Sequence, residues 1–324
     1  MAEQKKVFVD GSEGTTGLEI LNRLEEREDV NVLKIDPALR KDADARASLH
    51  NQADISILCL PDAASKEIVP LIENPQTVVI DASTAFRVHP DWVYGLPELA
   101  PGQRNAIRGA KRISNPGCHS TGFLLLVRPL IDAGVLSPDA FITATSLTGY
   151  SGGGKKMIAR FESEEGDHLS ATPYALAMQH KHLPEMTLHS GLTRTPAFLP
   201  TVARYYRGMV VTIPLHIAQL AKTGLSAESL TSIYKVHFEG ENFIKVFPAN
   251  APEVAPDGLL SPVANAQTQS AEIFVTGTGP DHLLLGCRID NLCKGASGAA
   301  IQSLNIVTGV SEDTTRQAIK SYPQ

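Results

Sequence analysis

The chain has 324 residues, long enough for two domains at about 150 residues each. Hydrophobic residues make up 43% and charged residues 20%, ordinary globular values that exclude a disordered, collagen-like or coiled-coil protein. Acidic side chains outnumber basic ones 35 to 29, a net charge of −6, so no global positive field recruits nucleic acid or an anionic membrane.

The chain opens MAEQKK before VFVD, without the apolar stretch and cleavage site of an export signal. No apolar run approaches the roughly 18 residues of a bilayer span, so a cytoplasmic protein is expected. The runs VFVD (Val7 to Asp10), VNVLKI (Val30 to Ile35), ISILCL (Ile55 to Leu60) and TVVID (Thr77 to Asp81) predict four strands. Their near-continuous apolar character suits parallel strands buried on both faces. Helical spacing between them, at Leu18 to Leu24 and Ala63 to Ile72, predicts a doubly wound α/β sheet of Rossmann type over residues 1–117. Beyond Cys118 the rhythm changes. Phe141 to Leu147, Gly208 to Leu215, Glu272 to Thr276 and His282 to Ile289 predict a second, α+β domain over 118–293 with a mostly antiparallel sheet. Pro248 to Pro262 reads as a surface loop. A helix over 294–324 is expected to pack back on the first domain.

GSEGTTG sets Gly11, Gly14 and Gly17 between the first strand and a helix. A dinucleotide needs a tight turn, close backbone approach to its pyrophosphate and a helix N-terminus facing the negative charge. The glycines supply these, and Thr15 and Thr16 add hydroxyls. Asp36, closing the second strand, suits the ribose 2′-OH of NAD; Arg40 and Lys41 suit the 2′-phosphate of NADP.

Four cysteines without an export signal do not read as a disulfide framework. In SNPGCHSTGFLLLVRPL the turn Asn115-Pro116-Gly117 leads into helical apolar density from Gly122 to Ile131, placing Cys118 at a helix start. The unsatisfied N–H groups there favour a thiolate and can donate to an oxyanion on a bound substrate. Cys59, Cys287 and Cys293 lack such a setting. A thiolate beside a nicotinamide site points to interconversion of an aldehyde and an activated acid through a thioester. The thiohemiacetal oxygen then needs an acid/base. HKHLPE offers His180, His182 and Glu185, a base with a carboxylate to orient it. Pro184 disfavours a helix there. No second ligand cluster supports a metal, and none is expected.

YYRGM puts Arg207 at a strand entry, where it suits an anion, and NLCKGASG combines Asn291, Lys294, Gly295 and Gly298 at a helix start that suits a cofactor. A rival pattern is GYSGG, a literal G-x-S-x-G after a strand, which would make Ser151 a hydrolase nucleophile. A redox-sensing dinucleotide binder without chemistry is the other alternative, against which SNPGC argues.

GSEGTTG, LCLPD, VIDASTAFR, YGLPEL, SNPGC, GYSGGGK, HKHLPE, YYRGM and NLCKGASGAAIQ, in this order, resemble the N-acetyl-γ-glutamyl-phosphate reductases of the shorter form. The resemblance implies a Rossmann domain, a second α/β domain, NADPH as reductant and reduction of an acyl phosphate to a semialdehyde in arginine biosynthesis. Aspartate-semialdehyde dehydrogenase is the runner-up with the same chemistry. Cys118 falls on the family's nucleophile and His180 on its acid/base, with Glu185 in support. Gly11, Gly14, Thr15, Thr16, Gly17, Arg40, Asn291 and Gly295 are the expected cofactor contacts. Asn115, Ser151, Gly152 and Arg207 are the expected substrate contacts, Ser151 lying in a loop near the site. His119 stands where many members carry Tyr. The expected assembly is a homo-oligomer, dimer or tetramer, acting on a small acyl phosphate without nucleic-acid or membrane partners.

Overall fold

A computed structural model describes residues 4–314. The chain divides into two compact units. One takes the N-terminal segment through Pro97, Gly102–Gly117 and the segment from Ala296 onward; the other takes Glu98–Pro101 and Cys118–Gly295.

The first unit runs β1 (Lys5–Asp10), α1 (Thr15–Leu24), β2 (Val30–Leu33), α2 (Ala43–Gln52), β3 (Ile55–Leu58), α3 (Asp62–Ile68), β4 (Val78–Asp81), β5 (Val93–Tyr94), α4 (Gln103–Gly109) and β6 (Arg112–Ser114). The strands form one parallel sheet in the order β2-β1-β3-β4-β6-β5. Val7, Val9, Ile57, Ile80 and Ile113 supply the buried strand positions, and Ile20, Leu24 and Ile107 the facing helix positions. Strand order reverses between β1 and β3, the kind of place where doubly wound sheets bind ligands. The carboxyl end of β1 opens there into the glycine turn.

The second unit holds α5 (Cys118–Asp132), β7 (Thr143–Gly149), α6 (Gly154–Phe161), β8 (Ala171–Pro173), α7 (Leu183–Ser190), β9 (Ala197–Ala203), β10 (Met209–His216), α8 (Ala227–His237), β11 (Ile244–Val246), β12 (Ala271–Thr276) and β13 (His282–Ile289). Its sheet has the order β11-β12-β13-β10-β7-β9-β8. The pairs β11–β12 and β7–β9 are parallel and the other four antiparallel. The apolar helix α5 is buried nearly all round. Gly122 lets it approach β10, since a Cβ there would stand 2.7 Å from Val211 Cγ2. The chain then returns to the first unit with α9 (Gly298–Thr308), whose Ile301 and Leu304 join the first core.

Several expectations are corrected. The second strand stops at Leu33, so Asp36 lies beyond it in an exposed loop. The strand expected from Phe141 starts at Thr143, leaving Phe141 72% exposed. Pro248 to Pro262 is irregular but not merely surface: Ala251 and Val254 are buried against Val210 and Phe274. Pro184 does not prevent a helix; it occupies the first turn of α7, where its missing N–H has no helical partner to lose. The last helix ends at Thr308, Gly309 taking φ +76°, and the expected helical residues 315–324 lie outside the described ones. Lys294 and Gly295 belong to the second unit rather than the first. No helix among the described residues is long and apolar enough to cross a membrane.

Candidate active site

In the first unit the glycine turn forms a cradle that side chains would fill. Gly11 has φ +81°, and a Cβ on it would collide with the Cys59 carbonyl; one on Gly17 would collide with the Gly11 carbonyl. A Cβ on Gly14 would stand 3.3 Å from that same oxygen. α1 starts directly behind at Thr15, and Gly14 gives it no side-chain cap. The first-turn N–H groups therefore keep their capacity for an anion. Thr15 Oγ1 is buried without a hydrogen-bond partner among the described residues, an orphan that a bound phosphate oxygen would satisfy. These residues fit a dinucleotide. Arg40 pairs with Glu13 inside the turn itself, while Asp36 Oδ1 accepts a 2.9 Å bond from the Ala38 backbone N–H.

Asp10, the last residue of β1, is fixed from beneath. It accepts bonds of 2.9 Å from both His50 Nε2 and Arg46 Nε, and His50 Nδ1 meets Ser56 Oγ at 3.0 Å. Burial pushes the Asp10 carboxyl up, but the bonds and charges of His50 and Arg46 outweigh it and hold the group below its usual range. His50 is thus a satisfied core histidine. Asn115 donates to the Ala296 carbonyl at 3.0 Å, and its buried Oδ1 has no donor among the described residues.

In the second unit Cys118 is the first residue of α5 and partly exposed. The other thiols are poor nucleophiles or already engaged. Burial, then Asp81 and Asp10, push Cys59 up to about 12. Burial raises Cys287 as well, and Cys293 Sγ lies 3.0 Å from Arg207 Nη2.

An aromatic cluster follows Cys118. The buried His119 ring lies edge-on to His180 at 5.2 Å between centroids, and His180 is 4.6 Å from His182. Phe198 packs on both His119 and His180. The His182 backbone N–H donates to His180 Nδ1 at 3.1 Å, which leaves the proton of a neutral ring on Nε2. Glu185, in the first turn of α7, is buried, with Oε1 4.0 Å from His182 Nε2. The carboxylate thus faces His182, whereas the resemblance had set it in support of His180. The loop from Tyr174 to His180 holds Ala175 at φ +54° and Met178 at φ +57°, left-handed values that non-glycine residues adopt at some cost.

The remaining expected residues already have protein partners. Arg207, 5% exposed, is no surface charge: Nε and Nη2 meet the Asp290 carboxylate at 2.6 and 3.0 Å. The anion it holds in this structure is therefore Asp290. Asn291 Oδ1 accepts from the Gly208 N–H at 2.8 Å, and its Nδ2 donates to Ser151 Oγ at 2.9 Å. Ser151 is buried in a short 3-10 turn and is not among the residues at positive φ. It therefore lacks the strained, exposed turn of a nucleophile elbow. Gly152 packs 3.5 Å from Asn291 Nδ2, measured to a Cβ built on it. Gly295 backs onto Cys118. Beside it, Lys294 Nζ pairs at 2.7 Å with Glu98, both fully buried. Sequence reasoning missed Tyr174, Ser146 and Asp290, which carry no local motif.

Residues 37–109 match the family described as semialdehyde dehydrogenase, NAD binding domain, and 118–291 its dimerisation domain. The chain is 45% identical to N-acetyl-gamma-glutamyl-phosphate reductase 2 of Nostoc sp. over 95% of its length and 98% of that protein. It is also 45% identical to the N-acetyl-gamma-glutamyl-phosphate reductase of Brucella anthropi, over 94% and 98%. Among solved structures, aspartate semialdehyde dehydrogenase II of Vibrio cholerae, complexed with ASA, superposes with TM-score 0.69 at 18% identity, covering 95% of this chain and 99% of that one. The Candida albicans aspartate semialdehyde dehydrogenase with NADP does so with TM-score 0.63 at 14% identity, over 96% and 100%. At such identities the likeness concerns the fold.

Proposed function

Because the chain belongs to the N-acetyl-γ-glutamyl-phosphate reductase family, we propose that it reduces N-acetyl-γ-glutamyl phosphate to N-acetylglutamate semialdehyde and phosphate, with NADPH as reductant, in arginine biosynthesis. The observation that carries this reading is Cys118 as the first residue of a buried helix, with His180 and the histidine cluster following it. The Cys118 thiolate attacks the acyl carbon and phosphate leaves, giving a thioester. α5 N–H groups stabilise the oxyanion that forms. When bound, the nicotinamide supplies the hydride that reduces this thioester. His180 Nε2 holds the proton that the thiohemiacetal oxygen needs, and Glu185 steadies the histidine pair through His182. Collapse then releases the aldehyde and returns the thiolate.

Gly11, Gly14, Thr15, Thr16 and Gly17 hold the cofactor's pyrophosphate in this reading. Two observations favour NADP: Arg40 stands at the glycine turn, and the Asp36 carboxylate is turned onto its own backbone. Asn115, with its orphaned buried Oδ1, and Gly152 contact substrate, while Arg207, Ser151 and Asn291 shape the site through their partners. Gly295, an expected cofactor contact, lies against Cys118 and keeps it in place. A homo-oligomer is supported by the dimerisation-domain match and by the open face of the second sheet, where Thr143, Thr145, Leu199, Pro214 and His216 are exposed.

The test is phosphate-dependent reduction of NADP, scored separately on N-acetylglutamate semialdehyde and aspartate semialdehyde. Turnover of the first and little of the second is expected. A preference for aspartate semialdehyde would overturn the substrate assignment.

A further inference from the structure

Ser146 on β7, His119 on α5 and Tyr174 after β8 form a chain of three hydrogen-bonding side chains next to the reacting cysteine. His119 Nδ1 lies 2.9 Å from Ser146 Oγ, and His119 Nε2 lies 2.9 Å from Tyr174 Oη. Burial, then the charges of His180 and Lys181, depress His119 to about 3, so near neutrality the ring is uncharged, one nitrogen donating and the other accepting.

The Ser146 hydroxyl decides which. It is 3% exposed, and His119 is its side-chain partner, with no other among the described residues. A proton on Nδ1 would leave the Ser146 O–H a buried donor without an acceptor, which folded proteins avoid. Ser146 therefore donates to Nδ1, and the Nε2 proton is given to Tyr174 Oη. The phenolic proton then points away from His119. Tyr174 packs edge-on to His180, 5.8 Å between centroids. Its phenol is raised first by burial and then by the charge of Cys118.

We propose that Tyr174 is a further catalytic residue, whose hydroxyl, aimed by the Ser146–His119 relay, donates a hydrogen bond to the Cys118 sulfur. The inference rests on Cys118 being the nucleophile. One bond serves both ends of the cycle, stabilising the thiolate before attack and again as it leaves the thiohemiacetal. His119 and Ser146 are positioning residues. The other titratable groups that face this cluster are His180, Lys181 and His182 on the loop and Glu185 on α7.

The experiment is the rate of iodoacetamide modification of Cys118 against pH, located by mass spectrometry, on the full chain and three variants. Tyr174→Phe keeps the ring and is expected to move the midpoint up by about one pH unit, roughly a tenfold loss of thiolate below the midpoint. Ser146→Ala should move it the same way but by less, because Nδ1 is then unpaired in either tautomer and the ring no longer holds Nε2 as the donor to Tyr174. Ser146→Thr, which keeps the hydroxyl, should restore the wild-type midpoint. A wild-type midpoint in Tyr174→Phe overturns the proposal; a shift in Tyr174→Phe with none in Ser146→Ala overturns the relay. Full activity retained by wild-type protein whose Cys118 is stoichiometrically alkylated would instead remove the nucleophile assignment beneath it.

Discussion

Gly295 lies directly against Cys118: a Cβ at position 295 would stand 2.7 Å from the Cys118 Cβ and 3.2 Å from the Asp290 carbonyl oxygen. Both neighbours are held, one by the start of α5 and the other by the Arg207–Asp290 pair. Gly295→Ala should therefore displace the cysteine rather than be absorbed, at about 1–3 kcal/mol of stability as for other overpacked sites. Turnover and the rate of Cys118 alkylation should fall together. Wild-type values for both would show that the turn yields more easily than this contact implies.

Arg40 tests the cofactor. Its guanidinium stands at the glycine turn on Glu13, half exposed, and a hydrogen-bonded charge pair with a 2′-phosphate is worth about 1.5–3 kcal/mol. Arg40→Ala should raise KM for NADP about tenfold or more and leave that for NAD nearly unchanged. An unaltered NADP to NAD ratio would contradict the assignment.

Ser151 separates reductase from hydrolase. Its Oγ accepts a buried bond from Asn291, so Ser151→Ala, which leaves the Asn291 amide a buried donor without its acceptor, should cost about 1–3 kcal/mol of stability, read in urea unfolding. Reductase activity should largely survive, and a fluorophosphonate should not label the wild-type serine. Stoichiometric labelling at Ser151 would support the hydrolase.

What was legible in the sequence was local. VFVD and VVID read as buried parallel strands because continuous β-branched runs have few other uses, and GSEGTTG and SNPGC carry their geometry in consecutive residues. α2 escaped notice because the segment ADARASLHNQ buries only His50 and shows no apolar stripe; its one local sign is the Asp42 cap on the Ala45 N–H. Pro184 misled because proline is tolerated in a first helical turn. The relay and the Arg207–Asp290 pair join residues 27 to 83 positions apart, and no spacing rule links such pairs before the sheet is formed.

His119 gives a pH dependence. An unfolded histidine takes up a proton near pH 6.5, whereas the buried folded ring does so only at about 3. Between these values the unfolded chain binds more protons, so stability falls on acidification, by about 2 kcal/mol from pH 7 to pH 5. Asp10, held low by His50 and Arg46 against the effect of burial, loses its contribution from the acid end of that window downward, as pH falls from the ordinary aspartate value of 3.8 through the lower folded one. Urea unfolding at the two pH values should show a flatter dependence in His119→Phe than in wild type. Equal slopes would mean that the ring takes up its proton in the folded state.

The proposed reaction runs through a thioester on Cys118. A serine fits the same space at the head of α5, but its ester would be a much poorer hydride acceptor and its hydroxyl a poorer nucleophile. The direct measurement is steady-state turnover of Cys118→Ser in both directions, on a protein whose unfolding transition matches wild type. No detectable phosphate-dependent reduction of NADP and no reduction of the acyl phosphate are expected. Near-wild-type turnover by Cys118→Ser would contradict the thioester route.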